Sequence, residues 1–309
     1  MDPALQQLGW TDDQWNRICS TVTEEAQRAR VAAQILPVVG PEDPSTVAVP
    51  VYSLTYTAFP PGPPVPRPAQ FMEVSSDPTL YLTTISVLVE LGGREVSDPA
   101  LSAALTMFRR AANVIARAED ALVFNGRTTG PSGTISSATL LPQIFGINTI
   151  PAPPGDEPGT IDGLLASTTV RPILFPYGGN DIATAIFEAI GDLDQGGFSG
   201  PYACALDQGA FDAICTPSTS LVLPRDRILP FLQGGSLVRA SSIPPRTSQL
   251  TVRGAVIALA GNPVELVVAT DINVTYLQMT AASEPRRVFR VSERIALRVK
   301  EKTAIAIIT

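Results

Sequence analysis

Histidine is missing from this chain. Its absence excludes Ser-His-Asp and Cys-His catalytic arrangements, the commonest zinc ligand, and the usual general base near neutral pH. No nucleophile elbow replaces them, which weighs against a hydrolase or protease. Cysteine is scarce: Cys19, Cys204 and Cys215 are odd in number and lack a CxxC spacing. They read as small apolar residues in a reducing compartment, without a disulfide framework. Charged residues make up only 17%, and the 22 Lys and Arg are outnumbered by 29 Asp and Glu, for a net charge of −7. A groove for nucleic acid needs clustered cations, and Arg109-Arg110 and Arg286-Arg287 are too short to make one, so nucleic acid is not expected as the main partner. Long apolar runs are absent too. The stretch Gly254 to Gly261 is too short to cross a bilayer, and Met1-Asp2-Pro3 leads into polar sequence rather than a secretory leader. No membrane partner is expected, and the reading is a cytoplasmic protein. No metal or cofactor site is expected either, since Gly92-Gly93 and Gly196-Gly197 lack a GxGxxG or Walker context and read as turns.

What is present is apolar bulk. Hydrophobic residues reach 45% of 309 positions, enough for one large domain or two that share a core. A lightly charged surface on such a core implies that much of it is hidden against partners.

The residue pattern predicts an α+β fold. Thr11 and Gln14 are placed for a capping box at the start of a helix over 11–36, with Trp15, Ile18, Val22, Ala26, Ala29 and Ala33 on one stripe. Pro37 and Gly40-Pro41 end it. Strand-like runs over 47–56 and 80–91 flank the proline-rich Phe59 to Pro66, a hairpin arm with a stiff tip. The strongest helix is predicted over 99–125, about seven turns, with Pro99 in the first turn and Gly126 as the stop. A Gly-, Pro-, Ser- and Thr-rich stretch over 128–159 is read as an elaborated surface region. Helices are predicted over 181–193 and 207–214. Strands are predicted after Gly200-Pro201-Tyr202 and over 250–259, 264–269, 273–279 and 288–308. In the last of these, Ile295, Leu297 and Val299 share one face and Ala296 and Arg298 the other. Adjacent carboxylates in a helix, Glu24-Glu25 and Glu119-Asp120, do not face each other and so do not suit a shared catalytic proton; Glu119 or Asp120 is expected to bond structurally near the helix end.

Four segments, in order, resemble the encapsulins, in particular the group related to linocin-type bacteriocins. Leu8-Gly9-Trp10-Thr11-Asp12-Asp13-Gln14-Trp15 is similar to that family's N-terminal helix start, with Gly40-Pro41 where the family has GP. Ala118 to Gly126 resembles the end of its spine helix. Gly200-Pro201-Tyr202 resembles the strand opening of its axial domain, and Val288-Phe289-Arg290-Val291 its closing strands.

The resemblance implies the tailed-bacteriophage major capsid protein fold. Its parts would be an N-terminal helix and connection (1–45), an extended loop arm with an adjoining strand (46–96), a peripheral domain with the spine helix (97–132), an axial domain (133–258) with an insertion at 139–178, and the closing peripheral strands (259–309). It implies a self-assembling, non-enzymatic shell protein: an icosahedral homo-oligomer in a bacterial cytoplasm that encloses a cargo enzyme by its terminal targeting peptide. A cargo-peptide groove would be formed by Arg30, Ala33, Ile35 and Val38, opposed by Asp271 and Ile272. A pore loop would hold Ser218, Thr219, Ser220, Leu221, Arg225 and Asp226. The alternative on the same fold is a phage or prophage major capsid protein that packages DNA; phage versions usually begin with a scaffold-like arm instead of a capped helix.

Overall fold

A computed structural model describes residues 9–43, 45–58, 70–75, 79–129, 134–136, 150–151, 159–166, 169–171, 178–217, 222–243, 252–280 and 285–309. The proline-rich tip and most of the 139–178 stretch lie outside them.

Helix α1 (Asp12–Ala29) begins on the Thr11 capping box, in which the Gln14 amide N–H donates to the threonine hydroxyl and the Gln14 side chain accepts from the Thr11 N–H. Asp12 and Asp13 in its first turn and Arg28 in its last complement the helix dipole. One helix was expected over 11–36, but Arg30 turns to extended backbone and a separate turn, α2 (Ala32–Ile35), follows. The chain continues through β1 (Val38–Val39), β2 (Ala48–Pro50), β3 (Ser53–Ala58), β4 (Gln70–Ser75), β5 (Thr79–Tyr81) and β6 (Thr83–Leu91). Strands β3 and β4 pair antiparallel, as do β2 and β5, which gives the arm its expected hairpin form.

A short helix α3 (Gly93–Ser97) leads to the spine, α4 (Ser102–Asn125), 24 residues and about 36 Å long. Pro99 was expected inside its first turn. Instead the Asp98 carboxylate accepts from the Ala100 and Ser102 N–H groups at 3.0 and 2.8 Å, holding Leu101 left-handed, so the helix starts at Ser102. Gly126, at φ 76°, ends it.

Short strands β7 (Arg127–Thr129), β8 (Thr134–Ser136), β9 (Ile150–Pro151) and β10 (Gly159–Ile161) form one small sheet, and β11 (Thr169–Arg171) joins another. Then come α5 (Gly179–Gln195), β12 (Tyr202–Leu206), α6 (Gln208–Cys215) N-capped by Asp207, α7 (Pro224–Ile228), β13 (Leu237–Arg239) and β14 (Gly254–Ala258). Last are β15 (Val264–Met279), β16 (Arg287–Val299) and β17 (Ile305–Ile308).

Two sheets organise the molecule. The sheet expected to be peripheral, and so labelled below, runs β1-β15-β16-β6, and the one expected to be axial runs β11-β17-β14-β12-β13. The predicted strands over 264–269 and 273–279 are one strand, β15, whose register against β16 shifts at three places. The run over 288–308 divides the other way. Its end, β17, leaves the peripheral strands and pairs antiparallel with β14 and parallel with β11. The closing segment 259–309 therefore contributes to both sheets.

The axial sheet is a wall between two cores. Ala203, Ala205, Ala255, Ile257 and Ile305 face the core built on α1, α4 and the peripheral sheet. Their alternating neighbours Tyr202, Cys204, Leu206, Val256, Ala306 and Ile308 face a second core under α5, α6 and α7. Burial on both faces explains why β12, β14 and β17 read as unbroken apolar runs. The peripheral sheet shows the expected alternation: Ile295 and Leu297 join the main core, whereas Ala296 packs with Val49 and Leu82 at the base of the arm. Arg298, on that second face, pairs with Glu265 and reaches the Pro50 carbonyl at 3.3 Å.

Candidate functional site: the anchored N-terminal helix

The N-terminal helix is joined to the body at both ends. At its start, Trp10 stacks on Phe289 with ring centroids 5.3 Å apart, and its Nε1–H donates to the Val96 carbonyl at 2.9 Å. Phe108 of the spine meets Phe289 edge-on at 5.4 Å, and Trp15 and Tyr276 close the cluster. Aromatic pairs in these geometries add to the area they bury. Along the helix, Ile18, Val22 and Ala26 are buried one above the other.

At its end, Arg30 is a buried hub. Its Nε lies 2.7 Å from a Glu119 oxygen on the spine, its Nη2 lies 3.0 Å from Asp271 on β15, and the same Nη2 pairs with Glu293 on β16. One step along the spine, the Asp120 carboxylate accepts from the Val31 and Ala32 N–H groups at 2.9 and 2.7 Å. It thereby caps α2, whose own N-cap residue, Val31, has no side-chain acceptor. Glu119 and Asp120 are adjacent and hold different partners, as their helical positions require.

The electrostatics follow from burial. Glu119 and Glu293 are at most 1% exposed and Asp120 2%. Loss of water raises the pKa of Glu119 well above the ordinary carboxylate range, with a further rise from Glu293 outweighing the opposing pull of Arg30. Glu293 is raised by burial, against the pull of Arg30. Burial lifts Asp120 to about 7 despite its two backbone hydrogen bonds. Burial works against the charge of Arg30, but Glu293, Glu119 and Asp271 outweigh it and raise its pKa.

The residues expected to line a cargo groove divide here. Arg30 and Asp271 bond to each other, and Ile35 and Ile272 belong to the main core. In this single chain Arg30, Ile35 and Ile272 are buried, at 8%, 3% and 6% exposure. Ala33 is half-buried against the core, and Asp271 is exposed. Val38 stands 52% exposed on β1, which is an edge of the peripheral sheet. Of the expected pore loop, Ser218, Thr219, Ser220 and Leu221 lie outside the described residues; Arg225 and Asp226 are exposed in α7. Glu25 pairs with Arg28 at 3.3 Å on the exposed side of α1. Cys204 is fully buried and its thiol is pushed up to about 12, which makes it an inert apolar residue.

Glu293 was not expected to matter, yet its position is legible. It sits between Val291 and Ile295 in a strand of period 2, so alternation turns it to the same core face.

Comparison with known proteins agrees with this architecture. The virus-like particle protein of Pyrococcus furiosus is similar at a TM-score of 0.64 with 14% identity, over 96% of this chain and 99% of that one. The capsid of Myoviridae phage XM1 aligns at 0.57 with 13% identity, over 88% and 89% of the two chains. The capsid of a native GTA particle aligns at 0.55 with 16% identity, over 93% and 89%. No curated protein sequence matches. The Linocin_M18 family, described as encapsulating protein for peroxidase, matches residues 7–144 and 154–296. This chain therefore belongs to the encapsulin family, a family of shell proteins, and has the tailed-bacteriophage major capsid protein fold.

Proposed function

We propose that the chain is the subunit of an icosahedral encapsulin shell in a bacterial cytoplasm, where many copies enclose a cargo enzyme held by its terminal targeting peptide. The family match over 7–144 and 154–296 carries this reading. The role is structural rather than enzymatic. The anchored helix supports an encapsulin over a DNA-packaging capsid: α1 is built into the main core through Ile18, Val22 and Ala26, and Trp10 just before it is buried there too, instead of extending as a free arm. The net charge of −7 also disfavours a DNA-lined interior.

Within the expected groove, the accessible positions are Val38, Ala33 and Asp271. An edge strand with an exposed valine suits an extended apolar peptide, which can add main-chain hydrogen bonds and bury its side chains. Mass spectrometry and nucleic-acid assay of shells isolated from the native host test the reading. One enzyme bearing a terminal peptide, with loading abolished when that peptide is deleted, is expected; shells filled with DNA would identify a capsid instead. Val38→Asp is expected to lower peptide-dependent loading about tenfold, the loss of roughly 1.4 kcal/mol of apolar contact, while shells still form.

A further inference from the structure

We propose that Glu119 and Glu293 share a single proton beneath the Arg30 guanidinium, and that losing this proton loosens the hold on the connector between α1 and α2. The proposal concerns the fold of the subunit and is independent of what a shell would enclose.

The geometry leaves few alternatives. Both carboxyls are buried and both lie against Arg30. One guanidinium therefore holds both, Glu119 through Nε and Glu293 through Nη2. Two ionised carboxylates against one cation are acceptors only and repel each other, and a proton on one of them removes that repulsion. The remaining oxygens tell the same story: neither Glu119 oxygen has an aligned hydrogen-bond donor among the described residues, nor does Glu293 Oε2. The charged groups facing the pair are Arg30 at the end of α1, Asp120 beside Glu119 on the spine, and Asp271 on β15. Of these, Arg30 is the sole cation, while Asp120 is a third buried carboxyl. Full ionisation would set two buried negative charges against the single charge of Arg30, and an uncompensated buried ion costs several kcal/mol.

What the pair holds gives the proton its consequence. Arg30 ties the last turn of α1 to the spine, β15 and β16 at once, and the next two backbone N–H groups are held by Asp120. Repulsion between Glu119 and Glu293 would push apart the spine and β16 beneath that connector. The direction of the pH effect follows by linkage. Both folded-state pKa values are raised above the unfolded values, so between the two the closed state holds a proton that the open state has lost. Closure is strongest at acid pH and is lost as pH rises through the folded values.

The test compares the full-length wild type with Glu119→Gln, whose amide donates permanently to Glu293. Limited proteolysis at the 29–32 connector is followed from about pH 5 to about pH 9, with the two proteins compared at equal pH. Asp120 is present in both, so its contribution cancels. Between the unfolded and folded pKa values, wild-type cleavage should accelerate relative to the variant by up to about tenfold per pH unit, the slope of one proton, and level off once the pair has ionised. Parallel profiles would overturn the latch. Infrared spectroscopy provides a readout that does not depend on the variant folding. A neutral carboxylic acid C=O band is expected at neutral pH both in wild-type protein and in Asp120→Asn, which removes the other buried carboxyl. It should bleach over the pH range in which the acceleration of cleavage ends. Its absence at neutral pH overturns the shared proton, and bleaching without any change in cleavage overturns the coupling to the connector.

Discussion

Arg30 and Phe289 concentrate the tertiary information of this chain in two side chains. Phe289 touches Trp10, Trp15, Phe108 and Tyr276, thereby joining the approach to α1, the spine and two strands. Phe289→Ala is expected to cost about 3–5 kcal/mol, because four rings cannot collapse together into the space it leaves; chemical denaturation of the subunit measures it. Arg30→Met removes the cation that pairs with the buried Glu119 and Glu293. At neutral pH it is expected to cost about 3–5 kcal/mol. The cost should shrink at acid pH, where Glu119 and Glu293 are neutral even in the unfolded chain and no longer need the guanidinium. Denaturation midpoints at acid and neutral pH check both the size and the sign. A uniform loss across pH would mean that Arg30 acts by packing alone.

At the scale of elements, glycine supplies the sharpest test of how α2 enters the peripheral sheet. Gly40 stands at φ +131°, and a Cβ there would collide with the Val268 carbonyl of β15. Gly40→Ala should therefore cost about 1–3 kcal/mol from strain alone, with added loss from displaced pairing between β1 and β15. Gly9 also has positive φ, +70°, but open space around its Cβ position; Gly9→Ala should cost only the left-handed backbone penalty, about 1 kcal/mol. Thermal denaturation of the two variants side by side tests the difference. The elements also show what local sequence can carry. The capping box at Thr11 and the stop at Gly126 were readable because both depend on residues within one turn. The break at Arg30 was not, since its cause is Asp120, some ninety positions away. The passage of β17 into the axial sheet was equally hidden: an alternating apolar run looks the same whichever sheet it joins. Among the expected groove residues, the sequence could suggest that Arg30 and Asp271 meet, but the burial of Arg30, Ile35 and Ile272 depends on the assembled core.

For the whole molecule, the two cores with the axial sheet between them make one connected body with a light surface charge and scattered exposed apolar groups such as Leu88, Met107, Phe231 and Met279. Such a surface is suited to contacts with other copies over many small areas. Membership of the encapsulin family makes those contacts the expected fate of the subunit. Electron microscopy of the protein purified after expression by itself is the most direct test. Hollow, uniform, closed shells with icosahedral symmetry are predicted, whereas a monodisperse monomer or dimer at the same concentration would contradict the account.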